Sequence, residues 1–238
     1  MVRMPVLSFA LAAALALTLA GCAGPNPFSR MSEPNMTPLS PKLQKLFEKT
    51  KPVCFGRFII DVPVTTEVAW GPAKVPRTIV TYPDQAHRIK AEIDARLAHY
   101  AREKHNTAPS MLVAVRDGPH PGSKIIVGYD SPLDTYGVHI DAYFPLGPHA
   151  FVVNTSAGTD NHEWETVVSR ITEVASRLRV RKEEEIPAEP GICIEGGFIA
   201  EGEGKYYELI SIGFRILPDV HFSILGMAKD EAVAYIIF

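Results

Sequence analysis

The sequence predicts an α+β fold: an antiparallel sheet with two helices on one face, followed by a second, incomplete α+β domain. Three observations carry this. Short segments rich in β-branched and aromatic residues recur between turn residues across 53–155. Two stretches of helical period, at 84–104 and 160–178, interrupt and close that run. A block at 51–61 is then echoed at 189–201. The regular strand–helix alternation of a doubly wound fold is missing.

The first element is a leader. Arg3 supplies a positive start, 6–19 is apolar, and Leu19-Ala20-Gly21-Cys22 resembles a lipobox, in which Cys22 is diacylated and begins the mature chain. The apolar run, about 14 residues, falls short of the roughly 20 that span hydrocarbon. Several acyl chains on one cysteine would hold the protein at a membrane permanently. Ala23 in place of Asp after the cysteine resembles the sorting signal for the outer membrane. We therefore expect residues 1–21 to be a signal peptide and the body to lie in the periplasm, anchored to the outer membrane. Residues 22–42, rich in Pro, Ser and Asn, read as a semi-extended spacer.

An N-terminal α+β domain is expected over 43–182. A short amphipathic helix at 41–51 carries Leu43, Leu46 and Phe47 on one side. A strand at 53–63 follows, with Phe58, Ile60 and Val62 alternating with Arg57 and Asp61 until Pro63 stops it. A second strand lies at 77–82. The next helix, to about residue 104, aligns Ile89, Ile93, Leu97 and Tyr100. Strands at 111–116, 124–129, 137–144 and 150–155 are separated by Asp117-Gly118-Pro119, Asp130-Ser131-Pro132 and Pro145-Leu146-Gly147-Pro148, all turn chemistry. In the second long helix Asp160 and Glu163 suit a capping box, and Trp164, Val167, Val168, Ile171, Val174, Ala175 and Leu178 form one stripe. The basic run at 177–182 and the acidic Glu183-Glu184-Glu185 read as a solvated helix end and a linker at 183–190. Residues 191–238 then open a second domain, with strands at 192–200, 206–214 and 221–227 and an apolar tail.

Composition narrows the function. Against 24 basic residues stand 27 acidic ones, a formal charge of −3, and the basic residues do not cluster. Nucleic-acid binding needs such a cluster and is not expected. No Gly-x-Ser-x-Gly elbow occurs. Gly202-Glu203-Gly204-Lys205 is too short for a phosphate loop and reads as a hairpin turn. The eight histidines show no i, i+4 ligand spacing, and His139 with Asp141 suits a surface pair better than a metal site. Neither catalysis nor a cofactor nor a metal is expected. With Cys22 lipidated, Cys54 and Cys193 remain; a disulfide between them and two buried thiols in equivalent strands both fit the sequence.

Cys54-Phe55-Gly56-Arg57-Phe58-Ile59-Ile60-Asp61-Val62-Pro63 and Glu189-Pro190-Gly191-Ile192-Cys193-Ile194-Glu195-Gly196-Gly197-Phe198-Ile199 resemble blocks of the immunity proteins that neutralise phospholipase effectors of the type VI secretion system. The resemblance runs from about Leu43 to Met227. It implies a periplasmic, commonly lipidated, two-domain binder of a cognate secreted phospholipase, which clamps the effector between its domains and stops it reaching phospholipid. Fewer than 50 residues follow Pro190, too few for the full second domain that the family carries. Tight inhibition would need buried aromatic anchors. The candidates are Trp70, Tyr136, Tyr206 and Tyr207; each also fits an aromatic half-buried at a strand end. A general envelope lipoprotein, a scaffold or solute-binding module with no toxin partner, would share the leader, spacer and body.

Overall fold

A computed structural model of the chain describes residues 40–203, 207–215, 217–227 and 231–237. The leader, Cys22, nearly all of the spacer, Tyr206 and part of the turn at 202–205 lie outside the described residues. The chain divides into two units, Met1–Lys45 and Leu46–Phe238. Helix α1 (Pro41–Leu46) starts where Ser40 Oγ accepts the Leu43 N–H at 3.4 Å, with Pro41 in the first turn where a missing N–H costs nothing.

The predicted strand at 53–63 is two strands. β1 (Thr50–Phe55) turns at Gly56-Arg57 and pairs antiparallel with β2 (Phe58–Pro63). Gly56 has φ 55°, a left-handed conformation that glycine enters without a Cβ clash. The predicted strand at 192–200 is likewise a hairpin, β11 (Gly191–Ile194) and β12 (Gly197–Ala200), turning at Gly196 with φ 61°. Period-two alternation continues straight through a two-residue turn, so the pattern alone did not reveal the reversal.

Short strands β3 (Val68–Trp70) and β4 (Ala73–Lys74) lead into β5 (Thr78–Tyr82). After a 3₁₀ turn, Ala86–Arg88, comes α2 (Ile89–Arg102). Then follow β6 (Leu112–Asp117), β7 (Lys124–Tyr129), β8 (Gly137–Leu146) and β9 (His149–Gly158). Helix α3 (Glu163–Ser176) and β10 (Leu178–Val180) complete this part. The remainder is strand: β13 (Tyr207–Phe214), β14 (Leu217–Met227) and β15 (Glu231–Ile237). The large sheet runs β15-β14-β13-β4-β5-β9-β8-β7-β6, with β3 also on β13. The apolar tail, which carries no strand assignment from the sequence, pairs with β14 from His221↔Ile237 to Met227↔Glu231.

The α+β class with an antiparallel sheet holds, but the two helices do not share a face. Ile125 and Val127 join Val167, Ile171 and Val174 of α3 in one core, while Ile126 between them joins Ile89, Ile93 and Tyr100 of α2 in another. Successive strand residues point to opposite faces, so α2 and α3 cover opposite sides of the sheet. Helical stripes report that a helix is buried but not on which side. The two small sheets, β1-β2 and β10-β12-β11, contribute Val53, Phe55, Ile192 and Ile199 to the α3-side core.

The capping box at Asp160 does not form. Asn161 and His162 take left-handed φ values of 52° and 57°, a 3₁₀ turn spans Asp160–His162, and the Glu163 carboxylate accepts the N–H of Gly158 instead, at 3.2 Å.

Candidate partner-binding surface

The two cysteine blocks lie against each other. Cys54 and Cys193 form a disulfide with Cα atoms 5.8 Å apart, resolving the two readings the sequence left open. Gly56 and Cys193 also exchange backbone hydrogen bonds, each 2.8 Å. Arg57, beside that turn, forks onto Glu208 of β13 with contacts of 2.9 and 2.6 Å, and also pairs with Glu201. Hydrogen bonds to Glu208 and then Glu201 outweigh burial and raise the Arg57 pKa further, so its charge is permanent.

The basic run at 177–182, read as a solvated helix end, proves structural. Arg181 is only 2% exposed. Its guanidinium donates to the carbonyls of Lys182, Glu183 and Glu185 at 2.9, 2.9 and 3.1 Å, and to those of Gly197 and Ile194 at 3.4 and 3.3 Å. Burial lowers its pKa, against attraction from Glu185 and Glu183. The residue gathers the expected linker at 183–190 around itself, a role for which arginine's fan of five N–H groups is suited. Alternation with Arg179 was the available signal, obscured by the neighbouring charges.

Of the four aromatic candidates Tyr206 lies outside the described residues, and Trp70, Tyr136 and Tyr207 do not converge. Trp70 is half-buried on β3 opposite Ile212, with the Arg181 guanidinium 5.8 Å from its ring centroid. It lines a groove of about 240 Å³ with Pro83, His149 and Glu195, whose carboxyl pKa is pushed up by burial. Tyr207 starts β13, 43% exposed, with Lys74 Nζ 5.5 Å from its ring centroid. Tyr136 precedes β8, which β9, β5 and β4 separate from β13 in the sheet. It is 74% exposed, and Leu133 nearby is 78% exposed. Sequence reasoning passed over Leu133; an apolar residue inside the turn segment Ser131-Pro132-Leu133-Asp134 was the signal.

His139 and Asp141 form a denser network than a surface pair. Asp141 is fully buried and accepts from Arg96 Nε at 2.9 Å, Asn154 Nδ2 at 2.5 Å, His139 Nε2 at 3.2 Å and Tyr100 Oη at 3.3 Å. Burial pushes the Asp141 carboxyl up, but the bond and charge of His139, with Arg96 and Asn154, hold it below the ordinary range. The bond to Asp141 raises His139 despite burial, and burial raises Tyr100 to about 12. Gly128 lets the Tyr100 ring close over the sheet; a Cβ there would strike it. Ser156 Oγ lies 3.5 Å from His139 Nδ1 while Asp141 takes Nε2, the reverse of the nitrogen order in a serine relay. The network ties Arg96 and Tyr100 of α2 to Asp141 of β8. Among the described residues no group of three or more His, Cys, Asp or Glu could hold a metal, and no helix is long and apolar enough to cross a membrane.

Residues 51–181 match the profile of the Tle cognate immunity protein 4 N-terminal domain, and 185–231 match that of the C-terminal domain. The chain belongs to the Tle cognate immunity protein 4 family. Membership agrees with the resemblance carried by the cysteine blocks. Comparison with curated proteins returned no match. Among solved structures, the family fold recurs in the crystal structure of the Tle4-Tli4 complex, at TM-score 0.62 and 24% identity, covering 76% of this chain and 60% of that one. Apo TplEi, an immunity protein of the type VI secretion system (T6SS) from Pseudomonas aeruginosa, matches at TM-score 0.62 and 23% identity, with 76% and 62% covered. TplEi complexed with an "L" peptide matches at 0.55 and 24%. The chain thus spans about three fifths of the length of these solved relatives.

Proposed function

We propose that this family member is an immunity protein that binds a type VI secretion phospholipase effector in the periplasm and blocks its access to membrane phospholipid. It acts by covering a protein surface and performs no chemistry of its own. The observation that carries the reading is that both family profiles fall in order on one chain, over 51–181 and 185–231. The buried carboxylates of the described residues fit it: Asp141 and Glu208 are held in structural pairs with Arg96 and Arg57.

Acylation at Cys22 would tether this body at the outer membrane, the surface the effector attacks. Tethering raises the inhibitor's local concentration there without any new contact. In this reading the N-terminal α+β domain spans residues 43–182 and the C-terminal part begins at 191, with 183–190 as the joint.

A competition assay tests the reading. A strain deleted for this gene should be killed by type VI-competent siblings, and expression of the full chain should restore survival. Cys22→Ser should release the protein from the membrane fraction and weaken protection. Equal survival with and without the gene would remove the immunity role.

A further inference from the structure

The 130–137 loop spends hydrogen bonds on its backbone while leaving its two largest apolar side chains in water. Asp134 Oδ1 accepts the N–H groups of Tyr136 and Gly137 at 2.8 and 3.1 Å, closing the turn on itself. From one side, buried His105 holds it. His105 Nδ1 accepts the Thr107 N–H at 3.3 Å, so Nε2 carries the proton and donates to the Asp134 carbonyl at 2.9 Å, while the ring stacks on Tyr129 at 4.0 Å. Asn106 N–H donates to the Pro132 carbonyl at 2.9 Å. From the other side, Thr159 donates from Oγ1 to the Thr135 carbonyl and from its N–H to that of Tyr136, both at 2.9 Å.

This scaffold presents Leu133 and Tyr136 with more than 70% of each exposed. Large apolar groups on a prepaid, rigid loop have the properties of interface anchors, because little conformational entropy remains to be lost on docking. Charge selects the occupant. Asp130 and Asp134 lie within the loop and the Glu163 carboxylate reaches Gly158 beside the Tyr136 carbonyl, and none of the three forms an ion pair among the described residues. Such a rim repels an anionic lipid surface and suits a protein pocket bordered by basic side chains.

We infer that Leu133 and Tyr136 are the anchor pair of the effector-binding surface, inserted into an apolar, basic-rimmed pocket of the phospholipase. The inference rests on the proposed immunity function and adds the location of the contact. It places the contact on the β7–β8 loop, apart from the groove at Trp70.

The test uses the full chain carrying Cys22→Ser, so that no acyl group contributes, and a catalytically inactive form of a type VI phospholipase effector against which the full chain protects. Titration calorimetry compares this chain with a version that also carries Leu133→Ser and Tyr136→Ser. The added pair should weaken binding by about 100-fold or more, with unchanged thermal unfolding because both side chains are already exposed. Asp134→Ala, which frees the loop but keeps both anchors, should weaken it by about tenfold. Affinity within about threefold in the Leu133/Tyr136 variant would overturn the inference and leave the immunity reading standing. Absence of binding by the unaltered loop would overturn both. Co-sedimentation with phosphatidylglycerol vesicles that depends on Leu133 and Tyr136 while effector affinity is retained would assign the loop to lipid and overturn the inference.

Discussion

Gly56 and Cys193, far apart in sequence, donate their N–H groups to each other's carbonyl at 2.8 Å. This backbone bridge sits beside the Cys54–Cys193 disulfide, so the turn of one hairpin is held against the edge of the other both covalently and by hydrogen bonds. The residues matched by the N-terminal and C-terminal family profiles meet at this point.

The disulfide closes a sequence separation of 139 residues. Cross-links over loops of this size stabilise by about 2–5 kcal/mol, largely through the unfolded chain. Cys193→Ser should therefore lower the urea midpoint markedly, and reductant should shift the unaltered chain to nearly the same value. Thiol titration of the denatured, unacylated protein should find no free cysteine among these two until reductant is added.

Arg57 tests the value of a forked cation. Arg57→Lys keeps the charge but loses the two parallel contacts to Glu208, which is 2% exposed. The expected cost is about 2–3 kcal/mol, since a buried carboxylate loses part of its pairing. Urea unfolding would measure it; a midpoint within error of the unaltered chain would show that Lys satisfies Glu208 equally well.

The Asp141 network predicts a signed pH dependence. His139 has a folded pKa above its ordinary 6.5, so its contribution is full below pH 6.5 and fades as pH rises through the folded value. Asp141 has a folded pKa below its ordinary 3.8, so its contribution is present above pH 3.8 and fades as pH falls through the folded value. The stability difference between the unaltered chain and His139→Gln should be largest near pH 5.5 and shrink at alkaline pH. Asp141→Asn should cost about 3–5 kcal/mol at neutral pH because Arg96 loses its partner.

Arg181→Met removes the guanidinium that donates to the carbonyls of Lys182, Glu183, Glu185, Ile194 and Gly197, in a site where the arginine is 2% exposed. The expected loss is about 2–4 kcal/mol. Hydrogen exchange should show increased opening across 182–197, with α2 unaffected; unchanged exchange there would mean the carbonyls find other partners.

Much was legible in the residues themselves because the signals are local. The stripe from Val167 to Ala175 marked α3, the β-branched run at 124–129 between turn segments marked β7, and the paired Pro-Cys-Gly-Phe-Ile blocks marked two equivalent openings; all three are present as elements of the fold. Periodicity is written in neighbouring residues, so a linear reading recovers it.

What the sequence could not decide depends on which segments meet. Ile125 and Ile126 look alike in a list, yet they face α3 and α2 respectively, because the pleat alternates and only packing assigns the sides. Arg181 looked solvated until five carbonyls from the 182–185 segment, Ile194 and Gly197 closed around it. Cys54 and Cys193 could have remained thiols until two distant hairpins were laid edge to edge. By itself the sequence marked the two long helices, most of the strand segments in their order and the cysteine-block resemblance; the tertiary structure decided chain reversals, sides, partners and burial, since those are properties of contacts between residues remote along the chain.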